Sequence, residues 1–318
     1  MAVPLLLTAS SNLAMSLPNH LLTISLIFAT WKAVILLIVW LAPGEGYDTS
    51  TTLLVGANKL VRWDAIYFVS KAQRGEVFEQ EWAFGKGVST LLSSIAGNDL
   101  NSITTTGALV SHVAHYVSVI LLGKIAGMVS RGDRKDVHTQ AVPHIAACLH
   151  IVSPAGVFLS VPYAEAPFSC LNMLGFWLYL QAKTNAKSSV MHRSCVLIMS
   201  GMSFGGAAMM RSNGILSGLP FAFDAFEVSL ELYSDLRRGV PNSSQALIFA
   251  ATVIAGLSIA VGLALPQYLA YQEYCVSGGD IRPWCYYRLP LIYSFVQSHY
   301  WFVCPHHLAL EVLTAVGE

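Results

Sequence analysis

Charge is what this chain has least of. Of its 318 residues only 11% are Asp, Glu, Lys or Arg, against 54% hydrophobic, whereas a soluble domain carries roughly 25% charged residues. So little polar surface cannot coat a water-soluble globule, and the composition predicts a multi-pass membrane protein. Net charge is absent as well, with 18 basic and 18 acidic side chains, which removes the electrostatic case for a nucleic-acid partner. No Lys or Arg occurs before Leu22, and the first apolar run is too long for a signal-peptide core, so a cleaved leader is a poor fit. A Gly-rich phosphate loop is missing, which disfavours a soluble nucleotide as group donor. HExxH and paired CxxC patterns are missing too, and with them the usual sequence signature of a metal site. No internal repeat is visible.

Apolar runs of membrane length are present in their place. Residues 21–42 suffice for a hydrocarbon layer about 30 Å thick and read as an uncleaved anchor. Further spans are expected at 103–129, 141–160, 162–181 and 246–271, with a partial one at 289–303. The run 194–223 is long and is interrupted by "MRSNG" at 210–214. Residues 87–96 are too few to span and are expected to lie in the interface as an amphipathic helix. Basic residues in two short loops, Arg131, Arg134 and Lys135 in one and Lys183, Lys187 and Arg193 in the other, place those loops in the cytosol. Arg237 and Arg238 join them if the interrupted run makes one net crossing. The loop at about 43–86 then faces the opposite side, although its own Lys59, Arg62, Lys71, Arg74 and Lys86 weaken the charge bias. One helical domain over 1–318 is expected, and the sequon at Asn242 falls on the cytosolic side.

Against this background the polar groups stand out. "KLVRWDAIYF" and "FEQEWAFG" set Arg62, Asp64, Glu79 and Glu81 among Trp63, Tyr67, Phe68, Phe78, Trp82 and Phe84. A carboxylate such as Asp64 can take a proton from a hydroxyl nucleophile. Arg62 can hold a phosphate or simply pair with Asp64, and the aromatics can stack on a sugar or form an interfacial belt. "SPAGVFLSVPYAEAP", at 153–167, breaks the chain with Pro154, Pro162 and Pro167 and carries Glu165 at its tip. Non-helical backbone at membrane depth must line a cavity or be buried in protein, so this segment is either a cavity wall facing Asp64 or a plain turn. Arg211 in "RSNG" is either a snorkelling helix end or a cation aimed at a phosphate, for which its forked donors suit it; the second is favoured. His112 and His115 share a helix face and, like His144 and His150, are expected to be satisfied core or interface histidines. Cys148, Cys170 and Cys195 sit in apolar runs as packing residues, whereas Cys275 and Cys285 can pair if their region faces an oxidising compartment.

The segments "RWDAIYF", "FEQEWAFG", "SPAGVFLSVPYAEAPFS", "RSNGIL" and "PLIYSFVQSHYW" occur in that order. Together they resemble the GPI mannosyltransferase II family (the PIG-V type, in its fungal form) over about residues 21–301. The resemblance implies an all-α polytopic membrane enzyme of the GT-C glycosyltransferase architecture, with a large first lumenal loop, in the endoplasmic reticulum. It implies lumenal transfer of the second mannose, α1,6-linked, from dolichyl-phosphate-mannose to the GPI glycolipid intermediate. A β-linked donor and an α product mean inversion, which needs a base and stabilisation of the leaving lipid phosphate. Asp64 matches the position of the family's key acid and takes the base role, with Glu81 and Glu165 as weaker alternatives. Arg211, followed by Asn213, and secondly Arg62 are candidates for the lipid phosphate on charge alone. Trp63, Glu81, Trp82 and Glu165 complete the expected substrate contacts. No metal or resident cofactor is expected, and beside donor, acceptor and membrane a small accessory membrane subunit is a candidate partner. After Trp301 the likeness stops, and residues 302–318 read as a divergent tail, from truncation or altered splicing. Two other readings stand beside this one: a lipid or solute transporter or flippase, and a non-catalytic subunit of a membrane glycosyltransferase complex. A transporter would carry its charge at the midplane between repeats, whereas here Asp64, Glu79 and Glu81 cluster in one loop.

Overall fold

The computed structural model describes residues 17–42, 59–130, 137–185, 188–240, 242–277 and 281–301. Among them every regular element is helical. The long helices are α1 (Leu17–Leu41), α4 (Leu100–Val129), α5 (Val137–Ile151), α6 (Glu165–Thr184), α7 (Val190–Met210), α8 (Leu219–Arg237) and α9 (Ser243–Tyr271). Three shorter ones, α2 (Ala65–Arg74), α3 (Lys86–Ala96) and α10 (Ile292–Val296), lie in the connections. Local chemistry starts several of them: Asp99, Ser189 and Asn242 each accept a hydrogen bond from a backbone N–H of the first turn of α4, α7 and α9. Among the described residues, three stretches are long and apolar enough to cross a membrane, at Leu21–Leu41, Leu100–Val129 and Ser243–Val276. Their outward faces expose Leu26, Ile38, Leu109, Leu257 and Val261, as a lipid-facing surface requires.

The long helices pack as a row, α5–α4–α6–α7–α9–α8, with α1 against α5. In lipid, close packing of small residues replaces the hydrophobic drive between helices. The crossing of α7 and α9 is of that kind. A Cβ on Gly262 would collide with the backbone of Gly205, and one on Gly205 with the backbone of Ser258. Around this contact Phe204, Phe221, Ala251, Ala255 and Ile259 form one buried cluster.

The apolar runs differ from the helices where proline and glycine intervene. The run expected at 141–160 stops as a helix at Ile151, and residues 152–164 form irregular turns before α6 starts at Glu165. Pro167 sits in the first turn of α6, where a missing N–H costs little. The interrupted run at 194–223 is two helices rather than one crossing. Chain direction reverses after Met210 through extended Arg211 and a 3-10 turn at Ser212–Gly218, and α8 then continues to Arg237. The expected partial span at 289–303 is only the five-residue α10 and a π turn at Gln297–Trp301, folded onto α9 and the Glu79–Ala83 turn. Residues 43–58 of the expected first loop and the tail 302–318 lie outside the described residues.

This chain path gives the bundle two unlike ends. The last turn of α1, the start of α4, the start of α6, and the ends of α7 and α9 meet at one end, together with α2, α3 and α10. The last turn of α6 and the first turns of α7 and α9 lie at the other, where Arg193 donates to the Ala182 carbonyl and Gln245 of α9 donates to Glu231 in the second half of α8; Lys183 reaches from there to Asp224 in the second turn of α8 at 2.8 Å. Lys183, Arg193 and Arg237 therefore share an end opposite to Asp64.

Candidate active site

Asp64 is the N-cap of α2, and its backbone carbonyl accepts from Tyr67 N–H at 3.1 Å. An N-cap aspartate normally spends its side chain on the helix N-terminus; Asp64 does not, and its carboxylate turns to the cavities beside it. Trp63 immediately before it has φ +49°, the left-handed region that a bulky residue adopts at a cost of about 1–3 kcal/mol. Its ring stacks on Phe158 of the 152–164 segment, with centroids 6.2 Å apart. Tyr163 of the same segment donates its hydroxyl to the Arg62 carbonyl at 3.0 Å. The broken hairpin is thus a wall facing Asp64, which decides the alternative that the sequence left open.

Two cavities meet at Asp64 and Tyr163, which line both. The larger, of about 900 Å³, is bordered by Trp63, Tyr67, Arg74, Phe78, Glu81 and Phe158. The smaller, of about 300 Å³, contains Glu165, Arg211, Ser212 and Asn213, and is closed by Gly85, Tyr293, Gln297 and Trp301. Protein around Asp64 displaces enough water that burial pushes its carboxyl above the usual carboxylate range, while the Arg211 charge pulls the other way. Arg211 Nη1 donates to Glu165 Oε1 in an ion pair, and Glu165 Oε2 is buried without a partner. A guanidinium has five donors, so this pair leaves Arg211 able to bind an anion in the cavity. Gly85 lets the two halves touch: a Cβ there would run into the Met210 carbonyl, one residue before Arg211.

The other predicted residues have different places. Glu81 is almost fully buried, and its carboxylate accepts from Arg74 (3.2 and 2.5 Å), Val77 N–H (2.7 Å) and Phe78 N–H (3.1 Å). Burial raises its pKa, but these donors outweigh burial and the net displacement is downward. Glu81 thus braces the 75–84 loop and at the same time lines the larger cavity. Trp82 is packed in a core with Ala270, Trp284 and Phe295 and lines neither cavity; nor does Arg62. Glu79 ties this loop to the C-terminal segment, accepting from Trp284 Nε1 at 3.0 Å and the Tyr300 hydroxyl at 3.1 Å. Lys71 donates to the carbonyls of Glu81 and Phe84, at 3.0 and 2.6 Å, and burial brings its ammonium down to about 8.

Several contributors escaped the sequence reading. Tyr163, Gln297 and Trp301 lie inside quoted motifs but carry no chemistry that marks them without the fold. Lys32, in the middle of the first span, donates to Leu159 O and Ser160 Oγ, both at 2.8 Å, and so holds the cavity wall from behind. An intramembrane lysine was itself the available signal. His115 is fully buried, with Nε2 against the His150 carbonyl and Nδ1 without a hydrogen-bond partner, whereas the half-buried His150 ring hydrogen-bonds Ser118. Among the described residues, no three His, Cys, Asp or Glu side chains group as a metal site.

A family profile described as Mannosyltransferase (PIG-V) matches residues 15–305. The chain is 39% identical to a GPI mannosyltransferase 2 of Aspergillus oryzae, over 92% of this chain and 70% of that protein. It is 40% identical to one of Aspergillus fumigatus, over 88% of this chain and 61% of that one. A GPI alpha-1,6-mannosyltransferase 2 of Rattus norvegicus is 29% identical, over 82% of this chain and 54% of its own length. The chain thus spans about 70% or less of the length of these three relatives. No solved structure matches it.

Proposed function

The chain belongs to the PIG-V mannosyltransferase family, and we propose that it transfers the second mannose, in α1,6 linkage, from dolichyl-phosphate-mannose to the GPI glycolipid precursor at the lumenal face of the endoplasmic reticulum membrane. The observation that carries this reading is the shared cavity in which the Asp64 carboxylate and the Arg211 guanidinium lie together. Asp64 takes the proton of the acceptor hydroxyl, and that oxygen attacks the anomeric carbon from the face opposite the phosphate. The bond from the anomeric carbon to the phosphate oxygen breaks, leaving dolichyl phosphate with an additional negative charge beside Arg211. A β donor gives an α product in this single displacement, and the step draws on no metal or resident cofactor. The acceptor glycan enters through the larger cavity, where Trp63 offers an aromatic face for a sugar ring.

The lumenal orientation is supported by two features. Lys183, Arg193 and Arg237 gather at the end of the bundle away from Asp64, as cytosolic ends do. Cys275 and Cys285, at the Asp64 end, are joined as a disulfide, and such bonds persist in oxidising compartments. Complementation tests the reading: in cells lacking this transferase, the wild-type chain restores GPI synthesis and Asp64→Asn leaves an intermediate with a single mannose. Accumulation of any other intermediate would overturn the assigned step, and equal rescue by Asp64→Asn would remove Asp64 from the base role.

A further inference from the structure

The Arg211 cavity has an apolar neighbour. A groove of about 620 Å³ runs between the 3-10 turn after Arg211, the last third of α9 and the segment before α10, and shares Ser212 and Tyr293 with that cavity. Ile215, Leu263, Ala264, Tyr268 and Leu291 give it an almost wholly apolar lining. Its floor is fixed, because Tyr293 N–H donates to Gln267 Oε1 at 3.2 Å. It shares no residue with the larger cavity that holds Trp63.

We infer that this groove seats the first isoprene units of the donor lipid, so that chain recognition and phosphate recognition are contiguous. The inference rests on the donor proposed above. A phosphate beside Arg211 carries a hydrocarbon chain that must leave the polar cavity, and the wall formed by Ser212 and Tyr293 opens directly onto an apolar surface. The acceptor's acyl chains are the less suitable occupant, because the acceptor hydroxyl approaches Asp64 from the other cavity. On α9 the groove extends from Leu263 to Tyr271, about 12 Å of helix, which is short against a full polyprenol. Recognition is therefore confined to the units nearest the phosphate, and the remainder of the chain lies in the bilayer.

The test compares two donors, mannosyl phosphate on a full-length polyprenol and on a chain truncated to a single isoprene unit. Ala264 is exposed in the groove, so Ala264→Trp fills it without entering the helix core; Val261, exposed on the same helix outside the groove, supplies Val261→Trp as control. In the full-length chain in microsomes, Ala264→Trp is expected to raise KM for the long-chain donor about tenfold, the worth of roughly two buried methylenes. The kcat, the acceptor KM and the KM for the truncated donor stay unchanged, as do all parameters of Val261→Trp. An equal KM shift for both donors, a shift in acceptor KM, or no shift at all overturns the groove assignment. If the wild-type chain transfers mannose from neither donor, the proposed function itself fails, a result distinct from the other three.

Discussion

Arg211 and Glu165 are joined side chain to side chain across 46 positions of sequence, one from the extended residue after α7 and the other from the first turn of α6. Glu165 sits where a helix N-terminus favours negative charge, and from there it aims Arg211 into the cavity that Asp64 lines. Arg211→Gln removes the cation beside the leaving phosphate and is expected to lower kcat/KM by roughly 10²–10³. Arg211→Lys keeps the charge but loses the planar fork and falls between wild type and Arg211→Gln. Glu165→Gln loses only a charged hydrogen bond and costs about ten- to a hundredfold. Microsomal transfer assays check the order; a Glu165→Gln loss equal to that of Arg211→Gln would make Glu165 more than a positioning residue.

The pH profile follows from the same pair. Asp64 must be ionised to accept a proton, so kcat/KM rises with pH through its pKa, which burial places above the ordinary carboxylate value. Arg211 opposes that rise. Removing its charge in Arg211→Gln therefore moves the acid limb to higher pH, and a limb that stays put or moves down would show that Asp64 is not the titrating base.

Glu81 tests stability rather than chemistry. Its net depressed pKa means that its contribution is present above the unfolded value, about 4.3, and is lost as pH falls through the lower folded value. Glu81→Gln keeps the size but loses the charge that Arg74 and two backbone N–H groups address, at a cost of about 1.5–3 kcal/mol. Limited proteolysis of the 75–84 loop should report this as faster cleavage at neutral pH, with the wild type approaching the variant on acidification. Equal cleavage of both at neutral pH would show that Glu81 does not brace the loop.

Membrane class was legible because it depends on local composition, the long apolar runs, and the position of Asp64 beside Arg211 was not, because it depends on the path of the chain between them. The bracing role of Glu81 was not legible, because nothing in "FEQEWAFG" shows that a carboxylate at the edge of the larger cavity also accepts from Arg74 and from its own loop backbone. Trp82 posed the same difficulty, since an aromatic belt, a sugar platform and a core residue look alike until Trp284 and Ala270 are seen around it. Arg211 was recognised as out of place, but its partner lies on another helix, and the polar interruption at 210–214 does not by itself tell a reversal of the chain from a break within one crossing.

Glycine substitutions separate close helix contacts from incidental ones. A Cβ at Gly85 or Gly262 meets backbone atoms, of Met210 and Gly205 respectively, that cannot rotate away. Gly85→Ala is expected to separate the Asp64 loop from Arg211 and abolish transfer, and Gly262→Ala to lower thermal stability by about 1–3 kcal/mol. Gly256→Ala has room, its nearest neighbour being Phe221 Cβ at 3.9 Å, and in a helix interior it should be neutral or stabilising by up to about 1 kcal/mol. A microsomal transfer assay checks Gly85→Ala, thermal aggregation of detergent-extracted protein checks the other two, and a destabilised Gly256→Ala would contradict the packing described for α9.

The disulfide and the sequon together offer a test of the proposed orientation. Cys275 and Cys285 have Cα atoms 5.6 Å apart and are bonded, whereas Cys195 is a free thiol exposed in the second turn of α7, near the opposite end. In intact microsomes, a maleimide mass tag should reach Cys195 without reductant and reach Cys275 and Cys285 only after reduction and permeabilisation. Asn242, at the Cys195 end, already caps α9 through its side chain at 3.2 Å from Gln245 N–H, and on a cytosolic end it meets no oligosaccharyl donor. Endoglycosidase treatment should therefore leave the wild-type mobility unchanged. A glycan on Asn242, together with Cys275 and Cys285 labelling in unpermeabilised vesicles without reductant, would invert the topology and place Asp64 on the wrong face for a lumenal donor.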